Sequence, residues 1–213
     1  MWGEDDHYLM HWDGGPPYSK VRSAVKSSQV RFKKTLCAPC NNARSQPFDR
    51  AWDKFGDYVW PNRQRLKHSR WLDAEAIYGS QWNEGLRSFA AYVVKHAACR
   101  IADYDFEVPE DLKDFLNGSD HPANIQMVLF RDRDRYRDLE KAQRLGIDSG
   151  GIFVSPDAVH FSRSRPGINM YSSSLVVGCI GVLYRWAYDV SEADPFYHYQ
   201  RPRLHWRHHL PDY

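Results

Sequence analysis

The chain has 213 residues, enough for one sizeable domain, and its 8 Trp, 13 Tyr and 42% hydrophobic content argue against extensive disorder. The formal net charge is only +2, from 29 basic and 27 acidic residues, which excludes strong long-range attraction between the whole chain and nucleic acid. No apolar run reaches the ~18 residues of a membrane-spanning helix, and the opening "MWGEDDHYLM" is not typical of a signal peptide. We therefore predict a cytoplasmic protein without membrane segments, and leave its oligomeric state open.

Two cysteines near the N-terminus have the spacing of metal ligands. After the loop-forming "DGGPPY" (13–18) and a predicted short strand over 30–36, Cys37 and Cys40 form the only C-x-x-C of the chain. Two thiolates in one turn can bind a tetrahedral Zn²⁺ at ~2.3 Å, but the ion needs two further ligands. His7 and His11, spaced H-x-x-x-H, are the nearest candidates. The alternative is that both histidines face solvent.

The stretch from residue 20 to residue 50 is strongly basic. It contains a single acid, Asp49, against eight basic residues: Lys20, Arg22, Lys26, Arg31, Lys33, Lys34, Arg44 and Arg50. Such a stretch is a candidate surface for phosphate groups, and we expect Lys33, Lys34 and Arg44 to contact nucleic acid. The alternative is a solvated basic face.

The middle of the chain predicts helices. Apolar residues at i, i+3, i+4, i+7 and i+11 from Phe48 give one amphipathic helix, with Pro47 in its first turn. Further helices are predicted over 71–78 and 81–102, and "EVPEDLKDFLNG" predicts a short helix with Pro109 near its start and Gly118 past its end. The acidic face opposite the apolar stripe (Asp49, Asp53, Asp57) could hold a cation, but a solvated face is the simpler interpretation.

The sequence pattern changes from helical to strand-like after Gly118. Runs rich in β-branched and aromatic residues predict strands: "NIQMVLF", "GGIFVS", "AVHFS", "INMYSS" and "LVVGCIGVLYRWAY". The alternating charges of "RDRDRYRD" (131–138) predict an exposed segment laced with ion pairs, whereas "RPRLHWRHH" (201–209) mixes Arg, Trp and His as in surfaces that stack on bases. The fold class is therefore α+β, with a helical middle and a C-terminal antiparallel sheet. For "RPRLHWRHH", an edge strand that packs Trp206 on the sheet is the preferred alternative.

Residues 4–56 carry a resemblance to a known family. Asp6 and His7, followed after some thirty residues by "LCAPCNNARSQ", resemble the D-H and C-x-x-C-[H/N] motifs of HNH-type nucleases of the ββα-metal class. The part "CNNARSQPFDRAWDKF" is similar to a group of bacterial and phage-type HNH proteins. The sequence differs from the family pattern because it lacks a C-x-x-C ahead of the Asp-His pair. The missing ligands are either His7 with His11, or lie upstream of Met1.

The resemblance implies a function for several residues. His7 would be the general base, Asp6 and Asn41 would help hold Mg²⁺ or Mn²⁺, and Cys37 and Cys40 would bind half of a structural zinc. Residues 1–60 would form an N-terminal HNH-like zinc module, and residues 61–213 an α+β body. The expected activity is metal-dependent hydrolysis of nucleic acid, DNA rather than RNA. The alternative is a zinc-stabilised module that binds nucleic acid or supports structure without catalysis.

One other pair could carry chemistry. His96 and Cys99 could bind a metal, but a core histidine with one hydrogen bond is the preferred interpretation. Cys99 and Cys179 lie in apolar surroundings and are expected to be buried.

Overall fold

The protein mixes helices with one main sheet, which confirms the α+β class. The computed structural model describes residues 9–11, 19–21, 43–119, 124–146, 151–155, 157–162, 165–188 and 195–210. The helices are α1 (Gln46–Leu66), α2 (Ala74–Tyr78), α3 (Trp82–Asp103), α4 (Glu110–Leu116) and α5 (Arg133–Arg144). The strands are β1 (Leu9–His11), β2 (Ser19–Val21), β3 (Ile125–Arg131), β4 (Ile152–Val154), β5 (Ala158–Ser162), β6 (Arg165–Val177), β7 (Ile180–Ala187) and β8 (His205–Trp206).

Helix α1 has the amphipathic character that its sequence predicts. Trp52, Phe55 and Val59 are buried on one side, whereas Asp53 and Asp57 are exposed on the other. The buried side packs against α3, where the rings of Phe55 and Phe89 lie 4.6 Å apart. Burial of this apolar stripe is the main reason that α1 is stable, because an isolated helix of its composition gains little from propensity alone.

Helix α3 is the central element of the core. Its buried residues include Phe89, Val94, Ala98 and Cys99, and they fall all around the helix rather than on one stripe. A helix buried on all sides needs covering elements on more than one side. For α3 these are α1 and α4 in the helical layer, and β6 of the sheet.

The main sheet has the strand order β4-β6-β7-β3-β8, and β5 also pairs with β6. Neighbouring strands are antiparallel except for β3 and β8, which pair in parallel at Phe130↔His205 and Arg131↔Trp206. The predicted antiparallel sheet is therefore confirmed for all pairs of this sheet but the one at its β8 edge.

One predicted strand proves to be two. The run "LVVGCIGVLYRWAY" contains the end of β6, a tight turn at Gly178 and Cys179, and all of β7. Gly178 has a φ of +62°, which glycine adopts without strain at the start of a hairpin turn. The hairpin makes β6 and β7 the buried centre of the sheet, and Cys179 is fully buried, as expected.

The N-terminal part is described only at its two short strands and from residue 43 onward. Strands β1 and β2 pair in antiparallel register, with His11 opposite Ser19. The predicted division at residue 60 falls within α1, which packs on α3. The division into an HNH-like module and a separate body stays a prediction.

Candidate functional site

Most of the site residues predicted from the sequence lie outside the described residues: Asp6, His7, Lys33, Lys34, Cys37, Cys40 and Asn41. His11 is the last residue of β1, and Arg44 is exposed just before α1. Within the described ranges, no group of three or more His, Cys, Asp or Glu side chains could hold a metal ion. The zinc and magnesium ligands therefore stay predictions.

A different set of residues forms a charged and aromatic surface at the β8 edge of the sheet. We call it the arginine–tryptophan cluster, and it consists of Arg70, Trp71, Arg131, Arg133, Arg203 and Trp206. Its members come from three separate parts of the chain: the segment after α1, the junction of β3 with α5, and the segment that forms β8. The backbone joins these parts, because Leu204 N–H donates to the carbonyl of Arg70 at 2.8 Å and Arg131 pairs with Trp206 between β3 and β8.

Arg131 lies at the centre of the cluster. Only 7% of the residue is exposed, and its guanidinium lies 3.8 Å from the centre of the Trp206 ring. One terminal nitrogen donates a long hydrogen bond of 3.4 Å to the Lys67 carbonyl, and the buried Nε has no hydrogen-bond partner. Burial lowers the pKa of the guanidinium, and the positive charges of Arg70 and Arg133 lower it further. Arginine nevertheless keeps its charge in proteins, so a positive charge is buried here.

The nearest carboxylates in sequence are occupied elsewhere. Oδ1 of Asp132 caps α5 by accepting the backbone N–H groups of Asp134 and Arg135, at 2.9 and 3.1 Å. Oδ1 of Asp134 accepts a hydrogen bond from Arg137 at 3.2 Å. Among the described residues, no carboxylate forms an ion pair with any of the four arginines of the cluster. Their charges therefore remain available to an anion.

Arg133 is the first residue of α5, and its guanidinium lies 5.1 Å from the Trp206 ring. A cation at the N-terminus of a helix is opposed by the helix dipole. The Trp206 ring thus has two guanidinium groups near it, of which one is buried and one exposed. Each arginine–tryptophan contact contributes about 0.5–2 kcal/mol, which offsets only part of the repulsion between the two cations.

Trp71 and Arg203 form an exposed pair on the other side of the β8 segment. They are direct antiparallel partners, flanked by the bonds from Leu72 N–H to the Pro202 carbonyl and from Leu204 N–H to the Arg70 carbonyl. Direct partners in antiparallel strands have their side chains on the same face, about 5 Å apart. Trp71 is 52% exposed, an unusual degree for a tryptophan.

A second polar cluster lies inside the protein, between α3 and the sheet. The Tyr184 hydroxyl lies 2.7 Å from Nδ1 of His96, and the hydroxyl of Tyr171 donates to Asp157 at 2.7 Å. Arg100 is near the same carboxylate, with Nε 3.7 Å from Oδ2. The two tyrosine hydroxyls are paired with His96 and Asp157, so the cluster supports packing of α3 on the sheet rather than chemistry on a ligand.

The ionisation of this interior cluster agrees with a structural function. Burial lowers the pKa of His96 to about 3, and the Arg100 charge lowers it further. His96 is therefore a neutral core histidine, as the sequence predicted, rather than half of a metal pair. Burial likewise raises the pKa of the Cys179 thiol to about 11, so this thiol is not a reactive nucleophile.

Sequence reasoning identified only part of the arginine–tryptophan cluster. The alternating charges of 131–138 predicted ion pairs throughout; Arg137 and Arg135 do pair with Asp134 and Asp138, but Arg131 and Arg133 do not. The preferred edge-strand prediction for Trp206 is confirmed by β8. Arg44 lies before the opposite end of α1, and this 21-residue helix is about 30 Å long. Arg44 therefore does not belong to the cluster.

Comparisons with family models, curated proteins and solved structures found no match to this chain. No helix in the described ranges is both long enough and apolar enough to cross a bilayer.

Proposed function

We propose that the protein binds nucleic acid through the arginine–tryptophan cluster. The observation that carries the proposal is Arg131, a buried guanidinium that stacks on Trp206 while its Nε lacks a hydrogen-bond partner. Burying a charge without a paired carboxylate is costly, and such departures from the rules of folding are expected at functional sites, where a ligand can supply the counter-charge. A phosphate oxygen is a suitable acceptor, because the planar guanidinium can bind two of its oxygens at once.

The layout of the cluster favours an extended polyanion over a small phosphorylated metabolite. Arg70, Arg133 and Arg203 are all exposed, and they are spread around the β8 edge. A cavity of about 220 Å³ does lie elsewhere, among α1, α2 and the start of α3, and its lining includes Arg50, Lys54 and Glu84. Small-molecule sites are concave, whereas surfaces for nucleic acid combine spread cations with aromatic rings.

Removal of two exposed cations tests this proposal. We expect the double variant Arg70→Ala/Arg133→Ala to bind a fluorescent oligonucleotide at least ~10-fold more weakly in anisotropy titrations, because two phosphate contacts are lost. The matched control is Arg137→Ala/Arg144→Ala, which removes the same charge from ion-paired positions of α5. Equal weakening in both variants would show that only net charge matters, and a wild type without affinity for DNA or RNA would exclude the proposal.

A second candidate function is metal-dependent hydrolysis of DNA by the N-terminal residues, in a cytoplasmic protein. It is supported by the HNH-like motifs and by the chain order of β1, β2 and α1, which is strand, strand, helix. In this proposal His7 activates water, Asp6 and Asn41 hold Mg²⁺ or Mn²⁺, and the two cysteines bind zinc. The cluster would then hold the substrate for the N-terminal residues.

Plasmid nicking with Mg²⁺ or Mn²⁺ tests the hydrolase. We expect activity in the wild type and its loss in His7→Ala, whereas His209→Ala, which alters an exposed histidine, should stay active. Equal activity in the wild type and His7→Ala would remove His7 from the mechanism.

Zinc content tests the cysteine pair separately. We expect about one zinc per chain in the wild type and its loss in Cys37→Ser, since a structural site needs all its ligands. Cys179→Ala is the control, because Cys179 is a buried core residue. A wild type without zinc contradicts the zinc site but leaves nucleic-acid binding by the cluster open to its own test.

A further inference from the structure

We propose that Trp71 is a platform on which an unpaired base stacks, so that the nucleic acid bound by the cluster is single-stranded. This inference rests on the proposed function and adds the strand state of the ligand. Phosphate binding needs cations but does not need the exposed aromatic ring of Trp71. Trp71 is the most exposed tryptophan among the described residues, and it lies on the edge of the sheet rather than over the core.

The surroundings of Trp71 leave its ring open. Among the described residues, no other ring or cation stacks on it, and its hydrogen bonds are made by its backbone. The Trp71 carbonyl accepts a hydrogen bond from the Ser69 hydroxyl at 2.6 Å. The Trp71 N–H donates a hydrogen bond to Oγ of Ser69 at 3.2 Å. These two bonds, together with the pairing to Arg203, hold the backbone of Trp71 in place. The fold thus holds the backbone of Trp71 in place and leaves about half of the residue open to solvent.

Charge complementarity identifies the occupant. Arg203 faces the same side as Trp71, so a cation lies beside the ring, whereas Arg70 alternates to the opposite face and adds its charge to the same edge. A cation beside an exposed aromatic ring, with further arginines along the same edge, matches the alternation of phosphates and bases along a single strand. In a duplex the base faces are stacked inside the helix, and an exposed ring at a sheet edge cannot reach them. Single-stranded nucleic acid therefore uses both the ring and the cations, whereas a duplex would use only the cations.

The test compares a single strand with a duplex. The probes are fluorescent oligo-dT and oligo-U of about 20 nucleotides, longer than the ~4–16 nucleotides of one site, and a duplex of the same length. We expect the wild type to bind the single strands more tightly than the duplex. Trp71→Leu should lose about 10-fold in affinity for the single strands and little for the duplex, and Trp71→Phe should recover most of the loss.

Controls separate this inference from the proposed function and from misfolding. Tyr188→Ala removes a ring of similar exposure at the far end of the sheet and should leave affinity unchanged. The wild type, Trp71→Leu and Trp71→Phe should have similar melting temperatures, since the Trp71 ring is not part of the core. If the wild type binds neither the single strands nor the duplex, the proposed function fails. If Arg70→Ala/Arg133→Ala weakens binding but Trp71→Leu does not, or if the duplex binds better, only the stacking inference is overturned.

Discussion

Arg131 combines properties that rarely occur together in one side chain. It is almost completely buried, it stacks on Trp206, and two further arginines repel it. The core residues around it gain stability from burial, whereas the charge of Arg131 opposes its own burial. A buried residue whose charge opposes folding is typical of residues kept for binding rather than for stability.

Replacement of Arg131 by methionine should separate stability from binding. Met has a similar length, keeps contact with the Trp206 ring and needs no counter-charge. We expect Arg131→Met to unfold at an equal or higher denaturant concentration, by up to about 1 kcal/mol in the free energy of unfolding, while affinity for nucleic acid falls about 10-fold or more. A clear loss of stability with unchanged affinity would contradict this view of Arg131.

His96 should make the stability depend on pH. Its pKa is about 3 in the folded protein and about 6.5 when unfolded, so the unfolded chain binds the extra proton first as pH falls. The stabilising effect is complete above pH ~6.5 and is lost progressively toward pH ~3. Between pH 7.5 and 5.5 we expect a loss of about 1.4 kcal/mol in the free energy of unfolding from this group.

His96→Gln provides the comparison for the pH effect, because the amide does not titrate. Denaturant unfolding at the two pH values should show a smaller pH dependence in the variant than in the wild type. Other histidines titrate alike in both proteins, so only the difference between them reports on His96. Identical pH dependence would mean that His96 gains a proton in the folded protein.

At the scale of helices and strands, the sequence predicts most of the fold, because burial leaves a periodic pattern in it. The stripe of α1 and the length of α3 follow from spacings of three and four residues. The turn between β6 and β7 was missed, since Gly178 and Cys179 interrupt an apolar run without any polar turn residue. The parallel pairing of β8 was also missed, because a two-residue strand has no period to detect.

The two sides of α1 should respond very differently to mutation. Phe55→Ala removes a buried ring that contacts Trp52 and Phe89, and we expect a loss of about 3–5 kcal/mol in the free energy of unfolding. Asp57→Ala on the exposed face should change it by less than about 0.5 kcal/mol. Urea unfolding of both variants gives the comparison, and similar losses would contradict the assigned orientation of α1.

At the scale of the whole molecule, the arginine–tryptophan cluster could not be predicted from any one stretch of sequence. The tertiary structure brings Arg70, Arg131 and Arg203 together from three separate regions. The net charge of +2 conceals them, because acidic residues elsewhere balance the total. The basic stretch over 20–50 was the stronger local signal, yet the only one of its predicted contacts that the structure describes, Arg44, lies away from the cluster.

The salt dependence of binding should report the number of phosphate contacts that the cluster makes. If four arginines each neutralise one phosphate of a single strand, the logarithm of affinity should fall with the logarithm of salt concentration with a slope of about −3. Arg70→Ala/Arg133→Ala should reduce this slope by about 1.4, because two contacts are gone. Titrations at several salt concentrations measure both slopes, and an unchanged slope in the variant would mean that these residues do not contact phosphate.

The bridge between Trp71 and Arg203 also affects how copies of the chain meet one another. An open sheet edge can accept a strand from a second molecule, which leads to aggregation. Here residues 70–72 occupy part of the outer side of the β8 segment, and Arg70 and Arg203 add like charges that repel an identical copy. The residues that we assign to the ligand therefore also protect the edge. Neutralising both arginines would weaken binding and at the same time make self-association easier.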